Sequence, residues 1–416
     1  MAALDARSNW NVEMSQPLKI PIRPKKKDAE GNPEGALAIP PKSSREILLP
    51  LEIISQIIAF IPRHQKYQST IWACTLVSRS WYSASISALF ERPWLSGGNF
   101  NQFVATVCPS KNAHIRQSTL AILVKRLDMG ELVHNASKSL TARLLGRLKG
   151  NIEQFVAPQA SFAINSFAAL SKCTKLRHLD LSLISASISN KLLFQTLKSL
   201  QDLETLYFPR SSSQDQGRTK EEAYDWPPHL QALHLAGGID DYFLHTHLVN
   251  APRSLSQLSI QHCSQIHASS LLATLQMLGP QLTHLTIRHP MAQLYTSSLD
   301  SIPSICSSLL ALRISADYIS NAMFPSVPAN HSLRILDLEC SPTAGAEVEI
   351  SPSAIYDAVE ECLLPDLRSV RASARLAWTA TEILRQDVSD LLEILEENEM
   401  ERPLGVETGV WWNLPD

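Results

Sequence analysis

Leu255-Ser256-Gln257-Leu258-Ser259-Ile260-Gln261-His262-Cys263-Ser264-Gln265-Ile266 is the stretch that decides the fold. Its first six residues follow the pattern L-x-x-L-x-L. Leu258 and Ile260 are two apart, the period of a strand that buries one face. A helical pattern then runs through Leu271, Leu272 and Leu275. One strand and one helix of this size cannot close a core, so the stretch needs copies of itself stacked on either side.

The chain contains them. The same six-residue pattern starts at Val124, Ile152, Leu176, Leu203, Leu230, Leu255, Leu282, Leu309 and Leu333, with a weaker copy at Leu367. Subtracting successive starts gives steps of 28, 24, 27, 27, 25, 27, 27, 24 and 34 residues. All but the last fall in the range of about 20–29 residues that marks leucine-rich repeats. Each unit predicts a strand followed by a helix, as at Ser189–Leu200 or Ser269–Leu278. Two units are irregular. Pro209–Pro228 puts a polar segment where a helix should be, read as an exposed loop with at most one turn near Glu221, and Ser341–Ser353 lengthens the last step.

In such a strand the fourth and sixth residues point into the core and the third and fifth point out. The outward positions worth most as a binding face are His178, Asp180, Tyr207, His234, His284, Arg313, Asp337 and Arg371. They mix both signs of charge. They form no basic stripe, so a protein target is expected rather than nucleic acid.

Upstream, residues 47–94 predict three short helices. Pro50 suits the first turn of a helix carrying Ile53, Ile54, Ile57, Ile58 and Ile61, with Pro62 as its stop. Ser69 is placed to cap a second helix with Ile71, Cys74, Leu76 and Val77. Ser78 opens a third with Trp81, Ile86, Leu89 and Phe90. Fewer than fifty residues cannot bury this much apolar surface alone. Either the rest of the chain or a partner must cover it.

Leu49-Pro50-x-Glu52-Ile53-Ile54-x-x-Ile57-Ile58, closed by Leu76-Val77-Ser78-Arg79-x-Trp81, resembles the F-box. The connection Arg63–Thr70 is longer and more polar than usual. The repeat at Leu255, with Cys263 after its strand, resembles the cysteine-containing leucine-rich repeat often joined to an F-box. The resemblance implies a substrate receptor of an SCF-type ubiquitin ligase, with a Skp-type adaptor, a cullin–RING scaffold and a target protein as partners. Leu49, Pro50, Ile53, Ile54, Ile57, Ile58, Val77 and Trp81 would form the adaptor face and its support.

The expected architecture is α/β. A tail over 1–45, lacking apolar periodicity, precedes a three-helix F-box over 46–95 and a helical linker over 96–119. A leucine-rich-repeat solenoid, a horseshoe or arc, follows over 120–379, with a capping helix and tail over 380–416. That helix spans Ala380–Asn398, with Ile383, Leu384, Val388, Leu391, Leu392 and Leu395 as its apolar side. Trp411-Trp412 is expected to pack back onto the body, or else to lie across the concave face. Arg23-Pro24-Lys25-Lys26-Lys27 could serve nuclear import.

The net charge of −3 gives no global field toward nucleic acid or an anionic membrane, and no apolar run reaches 18 residues. Seven scattered cysteines without a Cys-x-x-Cys pair suit reduced thiols inside the cell, cytoplasmic or nuclear. The triplets at Asn135 and Asn330 are therefore read as chance. No phosphate loop, nucleophile elbow or His-Glu-x-x-His is present. His245, His247, His262 and Cys263 match no common zinc module. The expectation is thus a non-catalytic subunit with no cofactor or metal. Two alternatives are a repeat scaffold that does not promote ubiquitination, and a GTPase-activating repeat protein using Arg288 or Arg313. An F-box would have no role in the latter.

Overall fold

The computed structural model describes residues 49–63, 65–109, 118–132, 138–213, 223–342, 348 and 350–414. The described residues belong to one compact unit. The expectations for the tail over 1–45, the basic cluster at 23–27, Asn135 and the turn near Glu221 lie outside the described residues.

Three helices open the described chain: α1 (Leu51–Phe60), α2 (Gln68–Thr75) and α3 (Arg79–Glu91). Pro50 sits one place earlier than expected, as the extended N-cap of α1 with φ −55° and ψ 149°. Ser69 does not cap α2. A 3-10 turn over Gln65–Tyr67 already leads the backbone into that helix, so Ser69 falls inside it. Ser78 does cap α3: its Oγ accepts from the Trp81 N–H at 3.3 Å. Ile54, Ile58, Ile71 and Ala88 close a small core, flanked by half-buried Ile61, Cys74, Trp81, Ala84 and Leu89.

The chain then enters a second, much larger core. Leu95 and α4 (Phe100–Val107) already belong to it, and the rings of Phe90 and Phe103 stack at 6.4 Å. The linker is thus partly packed structure.

Among the described residues, thirteen strands follow. They are β1 (Arg126–Asp128), β2 (Gln154–Val156), β3 (His178–Asp180), β4 (Ile188–Ser189), β5 (Thr205–Tyr207), β6 (Ser212–Ser213), β7 (Ala232–Ala236), β8 (Gln257–Gln261), β9 (His284–Arg288), β10 (Ala311–Ser315), β11 (Ile335–Glu339), β12 (Ser369–Ser373) and β13 (Gly409–Leu414). Apart from β4 and β6, which pair with each other, they form one eleven-stranded sheet in chain order. Every pairing is parallel. All ten L-x-x-L-x-L copies supply a strand, each beginning at the third residue of the pattern. The first and fourth residues of every copy are buried.

Helices return the chain between strands: α5 (Lys138–Leu148), α6 (Ile164–Leu170), α7 (Asn190–Leu197), α8 (Asp241–His247), α9 (Ala268–Leu278), α10 (Ile302–Ile305) and α11 (Pro352–Glu360). Their apolar stripes join the strand leucines in one continuous core. This is a leucine-rich-repeat solenoid. Cys263 is wholly buried in it, its thiol donating to the Gln261 carbonyl, and burial pushes its pKa up to about 12.

The described ends of the segment 209–228 are less exposed than its composition predicts. Its start is held by β6 on β4, and near its end Trp226 is buried, donating Nε1–H to the His247 carbonyl at 2.8 Å. At the C-terminus, α12 (Glu382–Glu401) buries Val388, Leu391 and Leu395 against the last units. Ile383, expected on that apolar side, is exposed in its first turn. The tryptophan pair returns to the body, as expected, and does not form a strap across the sheet. It lies in β13, which extends the sheet by one strand beyond β12.

Candidate docking surfaces

Helix α1 has two apolar stripes. Ile54, Ile58 and Ile61 turn inward. Ile53, Ile57 and Phe60, one residue out of phase and again at i, i+4 and i+7, stay in solvent. A stand-alone amphipathic helix needs one stripe, and a helix apolar all round is normally covered on all sides. Leu49, Leu51, Tyr67, Trp72, Leu76, Val77 and Tyr82 are exposed beside it. Ten of the nineteen exposed large apolar side chains among the described residues thus lie between Leu49 and Tyr82. Phe60 is 87% exposed and Trp72 56%. Each such side chain forgoes roughly 1.5–3 kcal/mol by remaining wet.

Of the residues expected at the adaptor face, Leu49, Pro50, Ile53, Ile57 and Val77 are exposed and Trp81 is half-buried. Ile54 and Ile58, each 2% exposed, lie beneath them as support. Phe60, Trp72, Leu76 and Tyr82 add to the surface although periodicity alone did not mark them out. The signal available was the fully apolar turn around Phe60.

The second surface is the open face of the sheet. Strand pairing places Asp180, Tyr207, His234, Ser259, Thr286, Arg313, Asp337, Arg371 and Trp411 in one row across adjacent strands. Tyr207 and His234 stack face to face, 3.9 Å apart at 5°, and His178 lies 5.5 Å from Tyr207. Burial, and then the nearby His178, hold His234 down at about 4. Burial likewise lowers His284.

The expectation of solvent-facing side chains fails at Asp180, Arg313 and Asp337, which are buried. Asp180 accepts the N–H and the hydroxyl of Ser182. Arg313 is paired with Glu339, as is Arg288, whose Nε lies 2.5 Å from that carboxylate. Asp337 accepts from Arg371 Nε at 2.7 Å. Desolvation raises Asp337 above the usual carboxylate range, although Arg371 and Arg313 pull the other way. Glu339 and Arg288 stand two residues past the fifth position and were not marked by the repeat pattern. The half-buried His178, Tyr207, His234, His284 and Arg371 remain partly accessible on this face.

His247 is fully buried among the rings of Phe194, Tyr224 and Phe243. Among the described residues no group of three or more His, Cys, Asp or Glu is placed to hold a metal ion. No described helix is long and apolar enough to cross a membrane.

No family model matches the chain. F-box protein YDR306C of Saccharomyces cerevisiae is 32% identical over 330 residues, covering 78% of this chain and 66% of that protein. Protein pof5 of Schizosaccharomyces pombe is 29% identical over 355 residues, covering 85% of this chain and 97% of that protein. The chain belongs to the F-box proteins. It spans about two thirds of the length of the budding-yeast relative and nearly all of the fission-yeast one. Helices α1–α3 carry the residues that resemble the F-box, and the solenoid carries the repeats. Among solved structures, the leucine-rich repeat-containing protein LegL7 from Legionella pneumophila overlays with a TM-score of 0.34 at 12% identity, covering 64% of this chain and 80% of that one. The Rad7 and Elc1 complex in yeast overlays with a TM-score of 0.33 at 13% identity, covering 77% and 91%. Overlays this loose say nothing about the site.

Proposed function

We propose that this F-box protein is the substrate-recognition subunit of an SCF-type ubiquitin ligase. The surface of α1–α3 docks a Skp-type adaptor, which links the chain to a cullin–RING scaffold. The sheet face holds a target protein through His178, Tyr207, His234, His284 and Arg371, with Asp180, Arg313 and Asp337 as buried supports. The second apolar stripe of α1, Ile53, Ile57 and Phe60, carries this reading, because nothing in the chain's own core accounts for it. An apolar patch with aromatic anchors is what a stable interface core requires.

The role is positional. Holding a target beside a charged conjugating enzyme raises its effective concentration there, and no side chain of this protein performs acid–base or nucleophilic chemistry. Co-purification with a Skp-type adaptor and a cullin tests it, comparing the natural chain with a Pro50→Ala/Ile57→Asp double variant. Burying a carboxylate at position 57 in an apolar contact is strongly unfavourable. Capture of both proteins by the natural chain, lost in a folded double variant, is the expected result. Capture of the adaptor without a cullin would instead favour a scaffold that does not promote ubiquitination. Absence of any capture would overturn the proposal.

A further inference from the structure

The chain carries a net charge of −3, yet one place on the solenoid gathers cations. Arg288 closes β9 with His289 just after it, and His262 follows the end of β8. Gln261 and Arg288 are partners in the β8–β9 register, so His262 and His289 project from neighbouring strand ends. Adjacent strands lie about 4.8 Å apart. Arg210 joins the same edge, three residues beyond β5: the Gly238 N–H donates to its carbonyl at 2.9 Å just past the end of β7. Glycine is required there, because Gly237 has φ +78° and a Cβ would stand 2.2 Å from the Arg210 carbonyl oxygen.

The charges around this edge are not balanced. Burial first, and then Arg210, Arg288 and His289 acting with the same sign, depress the basicity of His262. Beneath it Glu339 is shared between Arg288 and Arg313, and the next carboxylate, Asp337, is taken by Arg371. Asp240, two residues past Gly238, is turned into the cap of α8, where it accepts the Phe243 N–H at 2.9 Å. Arg210 is exposed and makes no side-chain hydrogen bond or ion pair among the described residues. The Nδ1 of His289 is buried with no hydrogen-bond partner among them. Glu339 fixes the Arg288 guanidinium through Nε, leaving its outer N–H groups directed by a locked side chain.

We propose that Arg210, His262, Arg288 and His289 form a receptor at the strand ends for an anionic group, a phosphate or a carboxylate, on a peptide segment of the target. This rests on the reading of the solenoid as the target-binding part. Four residues across the ends of neighbouring strands suit one anionic side chain with its neighbours, not the extended backbone of a nucleic acid, which needs a longer basic track.

Full-length protein is offered three immobilised degenerate peptide pools: phosphoserine and phosphothreonine peptides, the same pool dephosphorylated, and a glutamate-rich pool. The natural chain is expected to retain one of the two anionic pools at least about tenfold over the neutral one, as expected for charge-assisted contacts. The retention should weaken as salt rises. Which anionic pool prevails identifies the source of the charge. An Arg210→Glu/His262→Asn variant should fall to the level of the neutral pool; asparagine tolerates the positive φ of 57° at position 262. Lys172→Glu, an exposed charge reversal elsewhere, should not change retention. Equal retention of all pools by the natural chain, or a preference that survives the double variant, would overturn the proposal. Adaptor capture is measured on the same preparations. The double variant should keep it, which also shows that the variant folds. A natural chain that prefers an anionic pool but captures no adaptor would leave this receptor standing while the docking reading falls.

Discussion

Lys125 is bound twice to Glu91. Its backbone N–H donates to the Glu91 carbonyl at 2.9 Å, and its ammonium lies 3.2 Å from the Glu91 carboxylate. Glu91 is the last residue of α3 and Lys125 directly precedes β1. The Lys125 carbonyl in turn accepts from the N–H groups of Glu153 and Gln154, at the entrance to β2. The docking helices are therefore fastened to the first two strands of the solenoid, which a positional role requires.

The two halves of this contact should differ in weight. The ammonium is about half exposed, so the ion pair contributes at most about 1 kcal/mol. Lys125→Ala should lower Tm by less than about 2 °C. Lys125→Pro removes the N–H and should cost about 1–3 kcal/mol. It should also open the stretch between residues 92 and 124 to protease. Thermal unfolding with limited proteolysis would show it, and equal damage by alanine and proline would refute the ranking.

Arg368 should be among the residues least tolerant of change. It is 1% exposed, and all five of its N–H donors are used. Nε meets Glu399 at 2.8 Å, Nη1 the carbonyls of Pro365 and Leu367, and Nη2 those of Asn398 and Arg402 at the end of α12. Lysine offers three donors from one point and cannot reproduce the fork. Arg368→Lys keeps the charge but leaves buried carbonyls without a donor, and should destabilise by about 2–4 kcal/mol. Urea unfolding followed by the fluorescence of Trp378 and Trp411 would register it. A change under about 1 kcal/mol would mean that α12 does not depend on this clamp.

The F-box should separate stability from docking. Ile58→Ala cuts into its small core and should cost about 2–5 kcal/mol. Phe60→Ser removes an exposed side chain and should change stability by about 0.5 kcal/mol or less, while reducing self-association of the isolated chain. Light scattering and denaturant midpoints, measured side by side, test the pair. A large stability loss in Phe60→Ser would place that ring in a fold contact rather than on a docking face.

Acid should unfold the solenoid through buried imidazoles. His247 is fully buried, and desolvation holds its pKa at about 4, with Asp240 opposing weakly. Its unfolded value is 6.5, so below that pH the unfolded chain binds a proton that the folded chain does not. Stability is then complete above pH 6.5 and falls as the pH drops toward 4, by about 3 kcal/mol from this group. His247→Phe suits the surrounding aromatic rings and should flatten that decline. Urea midpoints at pH 7, 5.5 and 4.5 would decide it, with parallel curves for the two proteins as the contrary outcome.

The strand ladder was legible residue by residue, and the three N-terminal helices were legible as helices, though not in the cap at Ser69. Ten copies of L-x-x-L-x-L became ten paired strands, because a leucine every second residue states locally which face must leave water. The doubled isoleucines of α1 likewise announced more apolar surface than three helices can hide. The partners of charged side chains were not legible. Whether Arg313 or Asp337 faces solvent depends on Glu339 and Arg371, which approach from neighbouring strands 26 and 34 residues further along the chain. The Arg368 clamp joins residues about 30 apart, and β13 becomes a strand only because β12 presents an unpaired edge to it. The sequence by itself determined what must be buried, since burial follows from side-chain chemistry and a period of two residues. Only the tertiary structure decided which polar groups go inside with it. That choice depends on a partner brought close by stacking, and the energy of desolvating a charge is recovered only where that partner actually stands.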